Sequence, residues 1–366
     1  MSFVPVQYYS VVFYYLSFIL CVIVGLRYIN SNSCDLLLKQ NSPVAPTVLA
    51  IIVTLYIGLR PVSWWFQDML NYAYMFNHFS GRIADVDWSG EWGLPFIAYI
   101  CKLFGWPATS YFLLIAVGYT MCQVEAVKKL LPENGLMAFL FILSSFSFWG
   151  FASNGIRNGL GCAIVMLAVA CMIKKEYLRA MLWAFFAFVV HRSTALPIMM
   201  LLISYYVVKS PKQAIYFWLL SIVLSLVAGN ALISFFAQLG FDDRMTMYAT
   251  NTYQQFSRSG FRWDFLLYSS VPVALTWYIT QNKGIQDTAF NILANTYVLS
   301  NAFWIMVIRA SFSNRFAYLS WFLYPVVIAY ALIRIPVWQD QDKKIGWALL
   351  AYASFTIFMF LIGKLY

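Results

Sequence analysis

Arginines at the ends of apolar segments are the residues best suited to chemistry in this sequence. Arg157 lies in SNGIRNGLG, and Arg309 and Arg315 lie in RASFSNR. A guanidinium donates two parallel charge-assisted hydrogen bonds to a phosphate, and charge placed in apolar sequence is costly enough to indicate function. A layer of such arginines at a membrane boundary predicts a site for a lipid-linked diphosphate. Pairing with outer carboxylates, such as Asp68 or Asp85, is the structural alternative.

Polar neighbours extend this predicted site. Asn154, Arg157 and Asn158 follow i+3 and i+4 spacing, so a helix places them on one face. Three glycines in the same motif leave room for a ligand or for another helix. Further candidates for binding the diphosphate are Arg60, Arg192, Arg244 and Asn314.

Two side chains could act as the general base. Asp68 begins a stripe that continues with Asn71, Met75 and His78 at helical spacing, and it is either a base or a salt-bridge partner. His191, in VVHRST, interrupts an apolar run, and a neutral imidazole accepts a hydroxyl proton near neutral pH. The structural alternative for His191 is a buried ring satisfied by a backbone carbonyl.

The elements that position these residues are predicted to be membrane helices. The chain has 366 residues, of which 62% are hydrophobic and only 10% charged, against roughly 25% charged in a soluble domain. Each crossing needs ~20 apolar residues, and long runs without strict alternation favour helices over a barrel. We expect an all-α polytopic protein forming a single membrane domain over residues 1–366. About twelve crossings are predicted, at 8–26, 46–60, 108–122, 136–150, 156–173, 178–190, 194–208, 214–229, 265–280, 288–308, 315–333 and 347–364. Residues 94–104 form a shorter apolar segment that we interpret as re-entrant or interfacial.

The distribution of basic residues sets the predicted orientation. In this scheme ten of the twelve lysines fall on one face, which the positive-inside rule makes cytoplasmic. Nine of the twelve arginines fall on the other face or at the outer helix ends. Two long outer loops, at about 60–93 and 230–264, mix aromatic and charged residues in the manner of interfacial helices. We expect these loops to form the substrate groove, with the chemistry on the outer face.

Other classes of site receive little support from the sequence. The six cysteines are scattered without CxxC spacing, which is typical of apolar packing residues. There is no P-loop, GxGxxG or HExxH motif. We therefore expect no metal, no nucleotide or other cofactor, and no nucleic-acid partner.

Several segments together resemble the EpsG-like proteins, which belong with the Wzy-type polymerases of bacterial exopolysaccharide and O-antigen synthesis. They are YIGLRPVSWWFQDMLNYAYMF, the block from SNGIRNGLG to VVHRSTALP, and SNRFAYLSWFLYPVV, spread over residues 50–335. The resemblance points to Arg60, Asp68, Tyr72, Arg157, His191 and Arg315. Gly159-Leu160-Gly161 and Arg192 depart from the pattern.

The resemblance implies a metal-independent, GT-C-like glycosyltransferase in the bacterial cytoplasmic membrane, active on the periplasmic or extracellular face. Donor and acceptor are expected to be oligosaccharide repeat units on undecaprenyl diphosphate, and their lipids lie in the bilayer. A chain-length regulator and a flippase of the same pathway, which includes lipopolysaccharide biosynthesis, are the implied protein partners. Arg157 would stabilise the departing diphosphate, and Asp68 or His191 would be the base.

Three other functions stay open at this point. A flippase or transporter of the same lipid-linked sugars would bind them without bond formation, although no inverted repeat is evident in the sequence. A membrane O-acyltransferase would use His191 as its base. An O-antigen ligase shares the donor but uses a different acceptor, and the sequence separates it poorly from a polymerase.

Overall fold

The computed structural model describes residues 4–30, 44–238, 260–310 and 313–363. These described residues form α-helices joined by short turns, with no β-strand among them. The helices are α1 (Tyr9–Ile29), α2 (Ala45–Gly58), α3 (Met69–His78), α4 (Gly93–Leu103), α5 (Ala108–Leu130), α6 (Gly135–Leu143), α7 (Phe148–Ser153), α8 (Ile156–Ile173), α9 (Tyr177–Val190), α10 (Ala195–Tyr206), α11 (Pro211–Gln238), α12 (Trp263–Trp277), α13 (Thr288–Met306), α14 (Ser313–Trp321), α15 (Tyr324–Arg334) and α16 (Gln341–Leu361).

The length and apolar composition of its helices indicate a membrane protein. Among the described residues, six helical stretches are long and apolar enough to cross a bilayer. They are Val6–Ile29, Ala108–Leu130, Ile156–Ile173, Pro211–Phe236, Ser313–Arg334 and Gln341–Leu361. Three shorter apolar helices, α2, α4 and α9, accompany them. The expectation of an all-helical polytopic protein is confirmed at this level, while the count of twelve crossings and the GT-C-like arrangement stay predictions.

Each predicted apolar run coincides with one helix or with two consecutive helices. The run predicted at 136–150 is divided into α6 and α7, because the chain turns at residues 144–147. The short segment at 94–104 is a helix, α4. The run at 315–333 is likewise divided, into α14 and α15.

The chain divides into two compact units, Met1–His191 with Leu332–Tyr366, and Arg192–Ala331. In the first unit α2 packs on α5, α5 on α8, and α8 on α9, while α1 packs on α16. A Cβ on Gly346 would lie 2.6 Å from the carbonyl oxygen of Gly25, so these two helices cross at backbone contact. The almost fully buried α8 is the centre of this unit.

The second unit is organised around α13, which packs against α10, α11 and α14. Its buried amide Asn301 accepts a hydrogen bond from Trp218 Nε1 at 2.8 Å and donates one to Ser320 Oγ at 2.9 Å. α11 is kinked at Ala228, where the backbone leaves helical geometry. The single membrane domain over residues 1–366 stays a prediction.

Candidate active site

A close helix contact positions a glutamate at the end of α9. Gly93 begins α4, and a Cβ there would lie 2.8 Å from Val190 Cα and 3.1 Å from the Val189 carbonyl oxygen. Only a glycine allows the start of α4 to lie against the last turn of α9 at this distance. Glu91, two residues before α4, is thereby brought to the point where α9 ends and His191 follows.

Glu91 contacts two of the residues that the sequence predicts to be catalytic. Its Oε1 lies 2.9 Å from His191 Nδ1, and its Oε2 accepts a hydrogen bond and ion pair from Arg157 Nη1. The side chains of Arg157 and Glu91 are 25% and 20% exposed, and that of His191 is 9% exposed. We call Glu91, Arg157 and His191 the Glu91 cluster. Its members are withdrawn from bulk solvent, which strengthens their electrostatic interactions, yet two remain partly accessible.

The backbone holds His191 in a defined place. The residue caps α9 in an extended conformation, with φ of −153° and ψ of 112°, and its N–H donates to the Ala187 carbonyl at 2.9 Å. A short 3-10 turn, Arg192–Thr194, follows directly. The imidazole therefore projects from the C-terminal end of α9, where it contacts Glu91.

Arg157 is placed by the tight turn between α7 and α8. A Cβ on Gly159 would lie 2.2 Å from the carbonyl oxygen of Phe151, so this position requires a glycine for close approach. The turn therefore closes with the first residues of α8 against α7, which is the helix-packing alternative for the glycines of SNGIRNGLG. Asn158, next along the helix, accepts a hydrogen bond from the Cys162 thiol at 3.3 Å.

Asn154 joins the loop that precedes α3 to the same turn. Its Oδ1 accepts the backbone N–H of Asp68 at 3.0 Å, and its Nδ2 donates to Gln67 Oε1 at 2.7 Å. Gln67 has a φ of 48°, a region that a non-glycine residue adopts only when the surroundings hold it there. Asp68 occupies the N-cap position of α3 and is half-buried, and Tyr72 lies one turn further along that helix.

Arg60 has an enclosed position. Its side chain is 1% exposed and donates to the carbonyl oxygens of Ile57 at 2.6 Å and Ser153 at 2.8 Å. The guanidinium also lies 5.3 Å from the ring centroid of Phe66 and 5.6 Å from that of Phe112. These contacts join the end of α2 to the end of α7. They are structural, and a role of Arg60 in binding diphosphate stays a prediction.

The remaining candidates belong to the second unit. Arg309 Nη2 donates to the Leu226 carbonyl at 3.4 Å, and its Cδ lies 3.0 Å from where a Cβ on Gly229 would be. The guanidinium thus packs against the kinked part of α11. Arg192 is exposed in its 3-10 turn, while Asn314 is exposed and Arg315 half-buried in the first turn of α14. Arg244 lies outside the described residues.

A second carboxylate with two basic partners lies at the far end of α8 and α9. Glu176 accepts from Lys129 Nζ at 2.7 Å and from Arg179 Nη1 at 3.0 Å. These hydrogen bonds and charges lower the pKa of the Glu176 carboxyl. Between α3 and α4, hydrogen bonds from Ser80 and Arg82 likewise lower the pKa of Asp85.

Sequence reasoning missed Glu91 itself. It is a single acidic residue in the polar stretch DWSGEWG, with no helical spacing to any other candidate. Its partners lie 66 and 100 residues further along the chain. The available signal was indirect: two candidate residues, Arg157 and His191, lay in the same predicted outer layer, where few carboxylates could pair with them. Among the described residues, no three His, Cys, Asp or Glu side chains converge as metal ligands would.

Fold and site together define a helical membrane protein that holds an arginine and a histidine on one carboxylate. The EpsG family model matches residues 44–365 of the chain. The chain therefore belongs to the EpsG family of Wzy-type, exopolysaccharide polymerase-like proteins. No curated protein and no solved structure matches it significantly.

Proposed function

We propose that this protein polymerises oligosaccharide repeat units carried on undecaprenyl diphosphate, on the outer face of the bacterial cytoplasmic membrane. Family membership supports the class of reaction, which is that of a polysaccharide polymerase. The predicted outer position of most arginines supports an anionic substrate that meets the protein at the membrane boundary. A diphosphate whose lipid stays in the bilayer has this chemistry.

The reaction is a single displacement on a sugar. A hydroxyl of the acceptor gives its proton to a base, its oxygen bonds to the donor's anomeric carbon, and the bond from that carbon to the lipid diphosphate breaks. The diphosphate leaves with the electron pair and gains charge as it does so. A guanidinium fixed near the breaking bond lowers this barrier, and we assign that role to Arg157, with Asn158 beside it. Arg309, Arg315, Asn314, Arg192, Arg244, Arg60 and Tyr72 stay predicted binding residues.

The convergence of Arg157 and His191 on Glu91 carries the proposal. The reaction needs a cation for the leaving group and a group that accepts a proton. Arg157 supplies the first, and either His191 or Asp68 supplies the second. Arg157 and His191 lie in separate segments of the sequence, SNGIRNGLG and VVHRST. Their side chains contact the two oxygens of one carboxylate, that of Glu91. One carboxylate therefore contacts both the cation that we assign to the leaving diphosphate and a candidate base.

The test is to incubate the purified protein in lipid with repeat units on undecaprenyl diphosphate, without nucleotide or added metal. We expect a ladder of lengthening glycans and stoichiometric release of lipid diphosphate. Transfer of the repeat unit to a different acceptor would instead indicate a ligase. Movement of repeat units across sealed vesicles without a ladder would indicate a flippase, and acyl transfer to the sugar would indicate an O-acyltransferase. Each of these three results would overturn the proposal.

A further inference from the structure

We infer that Glu91 is a positioning residue, which holds His191 with its proton on Nδ1 and so makes Nε2 the atom that deprotonates the acceptor hydroxyl. This inference rests on the proposed function, and it chooses His191 over Asp68 as the base. Glu91 itself touches neither the sugar nor the diphosphate in this scheme. Its effect reaches the reaction through the imidazole and through Arg157.

Hydrogen-bond chemistry fixes the direction of the contact. An ionised carboxylate only accepts hydrogen bonds. With Glu91 Oε1 at 2.9 Å from His191 Nδ1, the proton of this contact belongs to Nδ1. The guanidinium of Arg157 on the other oxygen favours the charged carboxylate, since an adjacent opposite charge stabilises it. A neutral imidazole that carries its proton on Nδ1 has its lone electron pair on Nε2, and a general base requires such a lone pair.

The ring has little freedom to choose another arrangement. His191 is buried and its backbone is held at the end of α9. Glu91 is held by the contact of Gly93 with Val190. Carboxylates that hold a histidine in this way fix both its tautomer and its orientation in other enzymes and metal sites. The same carboxylate also fixes Arg157, so the base and the cation for the leaving group keep a constant separation.

The chain's composition makes the tautomer directly measurable. It contains two histidines, His78 and His191. His78 is exposed at the end of α3, where its Nδ1 contacts the carbonyl of Tyr74, so His78→Gln leaves one histidine to observe. In ¹⁵N-histidine-labelled His78→Gln protein we expect the Nδ1-protonated form of His191. Adding Glu91→Ala should replace it with the Nε2-protonated form or with a mixture. An Nε2-protonated ring in the parent, or no change on removing Glu91, would overturn the inference.

Kinetics give the second readout. Glu91→Gln removes the charge while keeping the size, and we expect kcat to fall by about 10²- to 10⁴-fold, the usual contribution of a general base, with KM nearly unchanged. Glu91→Asp keeps the charge and should recover part of kcat. Glu176→Gln is the matched control, because it neutralises a glutamate that also holds two basic side chains, and it should retain the parent kcat. Equal kcat values for the two Gln variants would contradict the assignment.

The two proposals fail in different ways. Parent protein that makes no polymer from authentic repeat units would refute the proposed function, while the tautomer measurement would still decide what Glu91 does. Parent protein that polymerises normally, together with a Glu91→Ala variant of unchanged tautomer, would refute the positioning role alone. Folding of each variant is checked by its elution as a single species and by its thermal unfolding.

Discussion

Two glutamates at opposite ends of helices α8 and α9 each hold two basic side chains, yet their surroundings differ. Glu176, where α8 passes into α9, holds Lys129 and Arg179, whose side chains are 24% and 67% exposed. Glu91 holds Arg157 and the buried His191 at the other end. The ion pair of Glu176 with the exposed Arg179 contributes little to stability, because water and salt screen it. A pair that includes a histidine offers a group able to take and return a proton.

The comparison shows that an ion pair alone does not mark a site. What distinguishes the Glu91 cluster is a buried imidazole in place of a second permanent cation. The end of the α8–α9 pair with Glu176 then serves as an internal control for the other end. Variants that alter one end of the α8–α9 pair, or the packing around it, test this difference.

Among the variants that leave Glu91 unchanged, Arg157→Ala is expected to have the largest effect. It removes the cation for the leaving diphosphate and leaves Glu91 with one partner fewer, so we expect a loss of about 3–4 kcal/mol in transition-state stabilisation, a few hundredfold or more in rate. The measurement is the initial rate of glycan extension. Lys129→Ala is the control, since it also removes a cation from a glutamate, and should extend normally. Normal extension by Arg157→Ala would remove Arg157 from the mechanism.

Gly93→Ala should give the next largest effect. The added methyl group would meet the backbone of α9, so α4 must shift and carry Glu91 away from His191. A displacement of this size costs about tenfold to hundredfold in rate, with a stability loss of about 1–3 kcal/mol. The matched variant is Gly150→Ala, whose Cβ would have nothing within 4 Å. Equal activities would show that this helix contact does not set the position of Glu91.

Asn154→Ala tests the attachment of Asp68 more gently. It removes two hydrogen bonds that hold Gln67 and Asp68 against the start of α8. Each contributes about 0.5–1.5 kcal/mol, so we expect a several-fold to tenfold loss, seen mainly as a higher KM for the acceptor. Asn291→Ala, which removes a similar amide–amide hydrogen bond to Gln286, should leave KM unchanged. A purely kcat effect would instead connect Asn154 with the chemical step.

The smallest effect is expected from Glu176→Gln, and it concerns stability only. Because the pKa of Glu176 is lowered in the folded protein, its pairs stabilise the fold above the ordinary glutamate pKa, and this contribution is lost as pH falls through the lowered value. The variant should therefore have a slightly lower Tm than the parent at neutral pH, and the same Tm at acidic pH. A difference in Tm that grew on acidification would contradict the sign of the shift.

The sequence predicts the positions of the helices better than the contacts between distant parts of the chain. Apolar run length is a local property, so the run from 156 to 173 coincides with α8, whereas the break between α6 and α7 depends on how the chain turns back. Asp68, Asn71, Met75 and His78 were expected on one helical stripe. The last three do share the exposed side of α3, with Asp68 as its N-cap.

The candidate site was predictable in part for a similar reason. Arg157 and His191 are chemically conspicuous within apolar sequence, so residue type alone identified them. Glu91 is an ordinary residue in a polar loop, and only the contact of Gly93 with α9 brings it to the other two. The enclosed position of Arg60 also required the structure, because its carbonyl partner on Ser153 is 93 residues away.

The most direct test is the single-turnover rate of glycosidic bond formation for the parent, Glu91→Gln and Glu176→Gln, in lipid with authentic repeat units. Single turnover isolates the chemical step from product release. We predict equal rates for the parent and Glu176→Gln, and a rate at least a hundredfold lower for Glu91→Gln. If Glu91→Gln forms the bond as fast as Glu176→Gln, the Glu91 cluster is not where the polymer grows.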